Sequence, residues 1–270
     1  MQLITNDPSR VVAEGDSLFH LPTLSEFTPP AILFEGTIFE FNRVQLIRLL
    51  VVIVVLATTY LIASRAKLVP SRIQSMFEMV LEFVQNSIVN ATLGEDKGKK
   101  YAPMLITMFL FIITMNLAGV FPLTLLAGTS VVGLPLVLAM WTFFTYIIAG
   151  VKQHGFAGYL KHETMPPGVP KPIYLLLVPI EFLQIAIIRW GSLTIRLLAN
   201  MIAGHMMLVV FISMAHGLLF SGTWLMAVSP FAGALAFGIY GFEIFVGALQ
   251  AFVFTILSAV YINMATAEEH

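Results

Sequence analysis

Two uninterrupted apolar tracts dominate the C-terminal hundred residues, 173–220 and 224–267, parted only by Ser221, Gly222 and Thr223. At about 1.5 Å per residue, helices of that length would measure about 72 and 66 Å, more than twice the hydrocarbon thickness of a bilayer. Each tract therefore either breaks into two spans or crosses strongly tilted. No polar turn divides either one, which favours a hairpin of two long tilted helices bent near Pro179, Gly191 and Pro230. The rest of the chain fits the same solvent: of 270 residues 58% are hydrophobic and only 11% charged. Soluble domains are typically about 25% charged, so a cytosolic enzyme, a disordered regulator and a disulfide-stapled secreted module are excluded. The chain has no Cys, which removes thiol chemistry and Cys-bound metals. A net charge of −1 gives no bulk attraction to nucleic acid.

The remaining segments read in order along the chain. Residues 1–43 are a mixed extramembrane lead-in without the basic start, apolar core and cleavage site of a signal peptide. Residues 44–64 are long enough to span, with Arg48 near one end where it can snorkel. In 70–92, Ile73, Phe77, Val80, Val84 and Ile88 recur at helical spacing opposite Arg72, Glu78, Glu82 and Asn86. That pattern predicts an amphipathic helix lying on the membrane surface, or else packed on a soluble partner. Ser71 and Gln74 form its capping signal. Residues 103–121 and 135–151 are charge-free and read as a helical hairpin, followed by a Gly/Pro-rich loop over 152–172. The fold class is all-α and polytopic: five membrane-embedded helices plus one surface helix, the membrane domain covering 44–270. Nine Lys and Arg fall between the first and second membrane helices and in the Gly/Pro loop, against Arg10 and Arg43 on the other side. By the positive-inside rule the N-terminus is outside and the C-terminus cytoplasmic.

Ionisable groups inside apolar tracts cost several kcal/mol and usually face a protein interior or a water path. Arg189 and Arg196 stand in the first long tract with Glu181 and His205, and Glu243 and Gln250 in the second. At about 100° per residue Arg196 shares a stripe with Asn200, Arg189 and Ala203, while His205 points about 180° away. Glu243, Gly247, Gln250, Phe254 and Tyr261 share one face of the second tract. Arg196 has no acid within four residues, so it either pairs across helices or serves a function. His205 among methionines is a packing residue or a proton carrier. Glu243 must find water or a donor. Gln250 alone reads as interhelical glue, and Glu181 and Arg189 as interface anchors or channel lining. His205 and His216 are too far apart to share a metal, so no metal or cofactor is expected. A secondary transporter is the competing class, but neither an internal repeat nor a broken-helix midplane site is visible. A non-conducting scaffold is disfavoured by the ionisable groups at depth.

The run SLTIRLLANMIAGH at 192–205 and LQAFVFTILSAVYINMATAEEH at 249–270 resemble subunit a of the F-type ATP synthases. KKYAPMLITMFLFIITMNLAGVFP at 99–122 and PPGVPKP at 166–172 extend the likeness over 44–270. The resemblance implies a proton-translocating stator whose two long helices curve around a ring of c subunits, with peripheral-stalk b subunits, a soluble F1 sector and membrane lipid as further partners. It implies that Arg196 faces the ring carboxylate and separates two offset half-channels, with Asn200 and Gln250 as its polar neighbours. His205 and Glu243 match a pair in the outer half-channel, and Glu181 an acid by the cytoplasmic one. The implied location is the bacterial plasma membrane or the mitochondrial inner membrane, and nucleotide chemistry belongs to the partners. Trp190 stands where many members have Pro, and Gly119 where some have an acid.

Overall fold

The computed structural model describes residues 31–33, 41–67, 69–120, 129–165, 169–221 and 224–267. Most of the lead-in, residue 68, residues 121–128 (the end of the expected 103–121 helix and part of the hairpin connection), residues 166–168, 222–223 and the last three lie outside the described residues. A short antiparallel pairing of β1 (Ala31–Leu33) with β2 (Phe41–Asn42) precedes the helices. Everything else that is regular is helical: α1 (Arg43–Ser64), α2 (Arg72–Val84), α3 (Ala91–Val120), α4 (Gly133–Thr164), α5 (Tyr174–Leu183), α6 (Arg189–Leu219) and α7 (Ser229–Ala265). Five runs are long and apolar enough to cross a membrane: Arg43–Ser64, Arg72–Val120, Gly133–Thr164, Tyr174–Leu219 and Met226–Ala265. The first long tract thus continues without a break from α5 through a π-helical turn, Gln184–Ile188, into α6.

Local chemistry sets the starts and the turns. Asn42 caps α1, its side chain accepting from the Gln45 amide (3.1 Å) while the Gln45 side chain accepts from the Asn42 amide (3.3 Å). Ser71 caps α2 by accepting from the Gln74 amide. Ile73, Met76 and Met79 on α2 are exposed while Gln74 is buried against the Lys67 backbone, so the apolar side of this helix faces away from the protein. That is the face a lipid surface would take.

Two glycines reverse the chain inside what would otherwise be straight helices. Gly94 and Gly155 hold φ of 73° and 72° with ψ of 175° and 164°, a conformation essentially reserved for glycine. Beyond Gly94 the chain doubles back, so that Gly98 comes against Val89 and Asn90; a straight helix would separate them by about 12 Å. Beyond Gly155 it doubles back again, and Gly150 meets the Tyr159 ring. Sequence composition placed 152–172 in a loop, yet 156–164 is a helical arm. Its glycines mark one sharp reversal rather than a disordered stretch, and that reversal decides where Glu163 goes.

The core lies where α3, α4 and α6 converge on α7. Leu105, Ile112, Ala139, Leu197, Ala251, Phe254, Ala259 and Ile262 are fully buried. Small residues on α7 let neighbouring backbones approach, as membrane helices do without a hydrophobic drive between them. The hydroxyls of Thr142 and Ser258 bond across α4 and α7 at 3.1 Å. α1 joins along Val44, Ile47 and Val51, which cluster with Met115, and it exposes Leu49, Leu50, Ile53, Val54 and Leu56.

Candidate functional site

The ionisable side chains of the long helices fall into three separate settings. Arg196, on α6, is half-buried and makes one long hydrogen bond, Nη2 to Ser192 Oγ at 3.5 Å. Among the described residues no acid forms an ion pair with it. It borders an open groove with Ile187, Ile188, Gly191, Ser192 and Ile195. Ile195 is 66% exposed, and Ala199 and Ala203 are exposed on the same stripe, so α6 offers a smooth face that the described residues leave uncovered. One turn on, Asn200 Nδ2 donates to Gln250 Oε1 of α7 at 2.7 Å. The Gln250 amide nitrogen is itself buried without a partner among the described residues. The pairing of Asn200 with Gln250 sits next to the guanidinium and orients the polar edge of the α6–α7 seam.

The second setting is the buried part of that seam beyond Asn200, toward the C-terminal end of α6. Glu243 is 5% exposed and lies against Gly204, where a Cβ would fall 3.2 Å from its Oε1; the glycine leaves the room that the carboxylate occupies. His205, the next residue on α6, is also buried. Glu243, Gly247 and Gln250 share the buried face of α7, as helical arithmetic requires. Their depth is fixed from α3: Asn116 Nδ2 donates to the Gly247 carbonyl at 3.0 Å, and Asn116 Oδ1 accepts from Thr129 Oγ1 at 2.8 Å. Both Asn116 and Thr129 are wholly buried. Sequence reasoning missed this network; the available signal was one amide inside an apolar run.

The third setting gathers the other charges. Glu181 lines a cavity with His162, Glu163, Arg189, Met264 and Ala267. Arg189 Nη2 lies 2.7 Å from Glu163 Oε2, with only 3% and 4% of the two side chains exposed. Its guanidinium sits 5.8 and 5.5 Å from the Tyr146 and Tyr261 rings, within cation–π range. Although Arg189 and Arg196 are two helical turns apart on nearly one stripe, the structure parts them: Arg189 is neutralised inside, and Arg196 stands at the open face. Glu163 was not singled out in the sequence because its segment read as a loop. Glu181 does not join Arg196; the two line different openings. Among the described residues no group of three or more His, Asp and Glu side chains is arranged to hold a metal ion.

Five bilayer-length helices with charged and amide side chains held at depth define a polytopic helical membrane protein, built around an ionisable seam between its last two long helices. Comparison with known proteins makes the class specific. The family model described as ATP synthase A chain matches residues 45–263. "ATP synthase subunit a" of Rhodococcus erythropolis (strain PR4 / NBRC 100887) is 40% identical over 257 residues, covering 93% of this chain and 92% of its own. The subunits of the same name from Parafrankia sp. (strain EAN1pec) and Pseudarthrobacter chlorophenolicus are 36% and 35% identical, covering 94% and 96% of this chain and 87% and 97% of their own. The chain belongs to the ATP synthase A chain family, a membrane component of a multisubunit enzyme.

Proposed function

We propose that this chain is the proton-translocating stator subunit of a rotary ATP synthase in a bacterial plasma membrane. The observation that carries this reading is the contrast between the two deep arginines. Arg189 is buried on Glu163, whereas Arg196 forms no ion pair among the described residues and stands beside an apolar face that those residues leave uncovered. A cation at membrane depth requires a counter-charge, and here it would come from the carboxylate of a ring subunit passing along Ile195, Ala199 and Ala203.

The steps follow from charge. A proton entering from outside passes the buried Glu243 and His205 and neutralises a ring carboxylate, which only then can move into lipid. When that carboxylate returns to Arg196 from the other side, the fixed cation favours its ionised form and the proton leaves toward the cytoplasm by way of the Glu181 cavity. Arg serves better than Lys because it never deprotonates. Asn200 and Gln250, bonded to each other, hold polar surface beside the crossing point. The N-terminus lies outside and the C-terminus in the cytoplasm, where the peripheral-stalk b subunits and the soluble F1 head meet the complex and carry out the nucleotide chemistry.

Arg196→Ala tests the reading in inverted membrane vesicles. The expected result is loss of ATP-driven acidification with a passive proton leak through assembled complexes. Normal acidification by that variant would refute the role.

A further inference from the structure

The helix that carries Arg196 is not uniform. In the π-helical turn Gln184–Ile188 each amide reaches one residue further back, which stores one surplus residue. Everything beyond is rotated by about 100° relative to an uninterrupted α-helix. The direction of Arg196 therefore depends on where that residue is stored. The loosened carbonyls of a widened turn need hydrogen-bond partners, and two of them have side-chain donors here. Tyr146 of α4 donates its hydroxyl to the Ile185 carbonyl at 3.0 Å, and the Trp190 indole N–H donates to the Ala186 carbonyl. Directly after the turn, Arg189 is held by Glu163 at 2.7 Å with its guanidinium over the Tyr146 ring. One tyrosine thus serves the turn and the arginine together. A buried ion pair is a weak source of net stability because desolvation offsets its attraction; what it imposes is a single geometry.

We propose that Glu163, Arg189 and Tyr146 form a register lock that keeps the surplus residue at 184–188 and so aims Arg196 at the open groove. They are positioning residues, and the proposal rests on the role of Arg196 given above. Without the lock the π turn migrates past Arg196 and swings its side chain by about 100°, off the stripe of Ile195, Ala199 and Ala203.

The natural chain has no Cys, so a nitroxide can be attached at each position from 193 to 203 in turn within the assembled complex. A second nitroxide is placed on the ring helix, and with the lock intact the maxima of spin–spin broadening are expected at Ile195, Ala199 and Ala203, the stripe proposed to face the ring. Glu163→Gln and Tyr146→Phe are expected to displace those maxima by one residue and to abolish coupled pumping, while the reciprocal pair Glu163→Arg with Arg189→Glu restores the original phase. A merely structural role would lower the amount of assembled complex and leave the phase where it was, which overturns the proposal. Should Glu163→Gln fail to assemble, Tyr146→Phe, which removes a single hydroxyl, decides alone: an unshifted phase overturns the lock. Arg196→Ala is measured alongside. If that variant still pumps, the proposed function fails, while the lock stands or falls on the phase of the broadening pattern.

Discussion

Asn116 provides the sharpest quantitative test of how the seam is held. Asn116→Leu removes a wholly buried amide that donates to the Gly247 carbonyl at 3.0 Å and accepts from the Thr129 hydroxyl at 2.8 Å. Gly247 lies inside α7, where its carbonyl keeps an intrahelical partner, so that loss is on the order of 0.6 kcal/mol, the average for polar bonds between membrane helices. The Thr129 hydroxyl has no such reserve: orphaned in a buried site, it costs about 1–3 kcal/mol. The sum is about 1.6–3.6 kcal/mol, a shift of about 14- to 370-fold in the folding equilibrium at about 1.4 kcal/mol per tenfold. Adding Thr129→Val removes the orphan, and the double variant is expected to recover all but about 1 kcal/mol, because an apolar pair replaces a polar one. Denaturant titration of the detergent-solubilised chain, followed by the fluorescence of its three Trp, measures both values. A single variant as stable as the parent, or a double variant whose cost equals the sum of the two singles, would refute the reasoning.

Other expectations follow from the same packing. Gly204→Ala puts a Cβ 3.2 Å from Glu243 Oε1 and should slow proton-driven ATP synthesis without loss of assembly, whereas Gly233→Ala, with nothing within 4 Å, should be silent in the same assay. Gly150→Ala drives a methyl into the Tyr159 ring and to 2.9 Å from the Ala265 carbonyl oxygen; overpacking of about 1–3 kcal/mol is expected as a lower thermal midpoint. A double-mutant cycle with Asn200→Leu and Gln250→Leu should return a coupling of about 0.5–1.5 kcal/mol for their 2.7 Å bond, and a value of zero would show that the bond does not form in the membrane. Ser71→Ala should cost about 1 kcal/mol by uncapping α2, read as increased amide exchange in its first turn.

How much of this was legible in the sequence depended on whether a feature is local. Apolar length alone gives five bilayer-crossing runs, and helical spacing alone puts Glu243, Gly247 and Gln250 on one buried face. The capping signal of Ser71 and Gln74 is equally local. What the sequence could not convey are pairings made by chain reversal. Gly155 reads as loop composition; its positive φ turns a helix back on itself and carries Glu163 onto Arg189, 26 positions later in the chain. The π turn is likewise invisible to a count at constant pitch; Arg189 and Arg196 both follow it on one α-helix, and it is the pairing with Glu163 that parts them. Asn116 looked like one polar residue in an apolar run because its partners, Thr129 and Gly247, come from different segments. Trp190, by contrast, finds its partner locally, donating to the Ala186 carbonyl at the π turn.

Disulfide trapping examines most directly whether Arg196 confronts a carboxylate carried by another subunit. A cysteine at Ile195 or Ala199, on the exposed stripe, would be paired with one placed a turn from the acid of the ring helix, and mild oxidation applied in native membranes. Rapid cross-links from Ile195 and Ala199, with none from the buried Leu197, are the expected result. Cross-links that arise only from the Leu197 side, or a ring that never reaches this face of α6, would contradict the account.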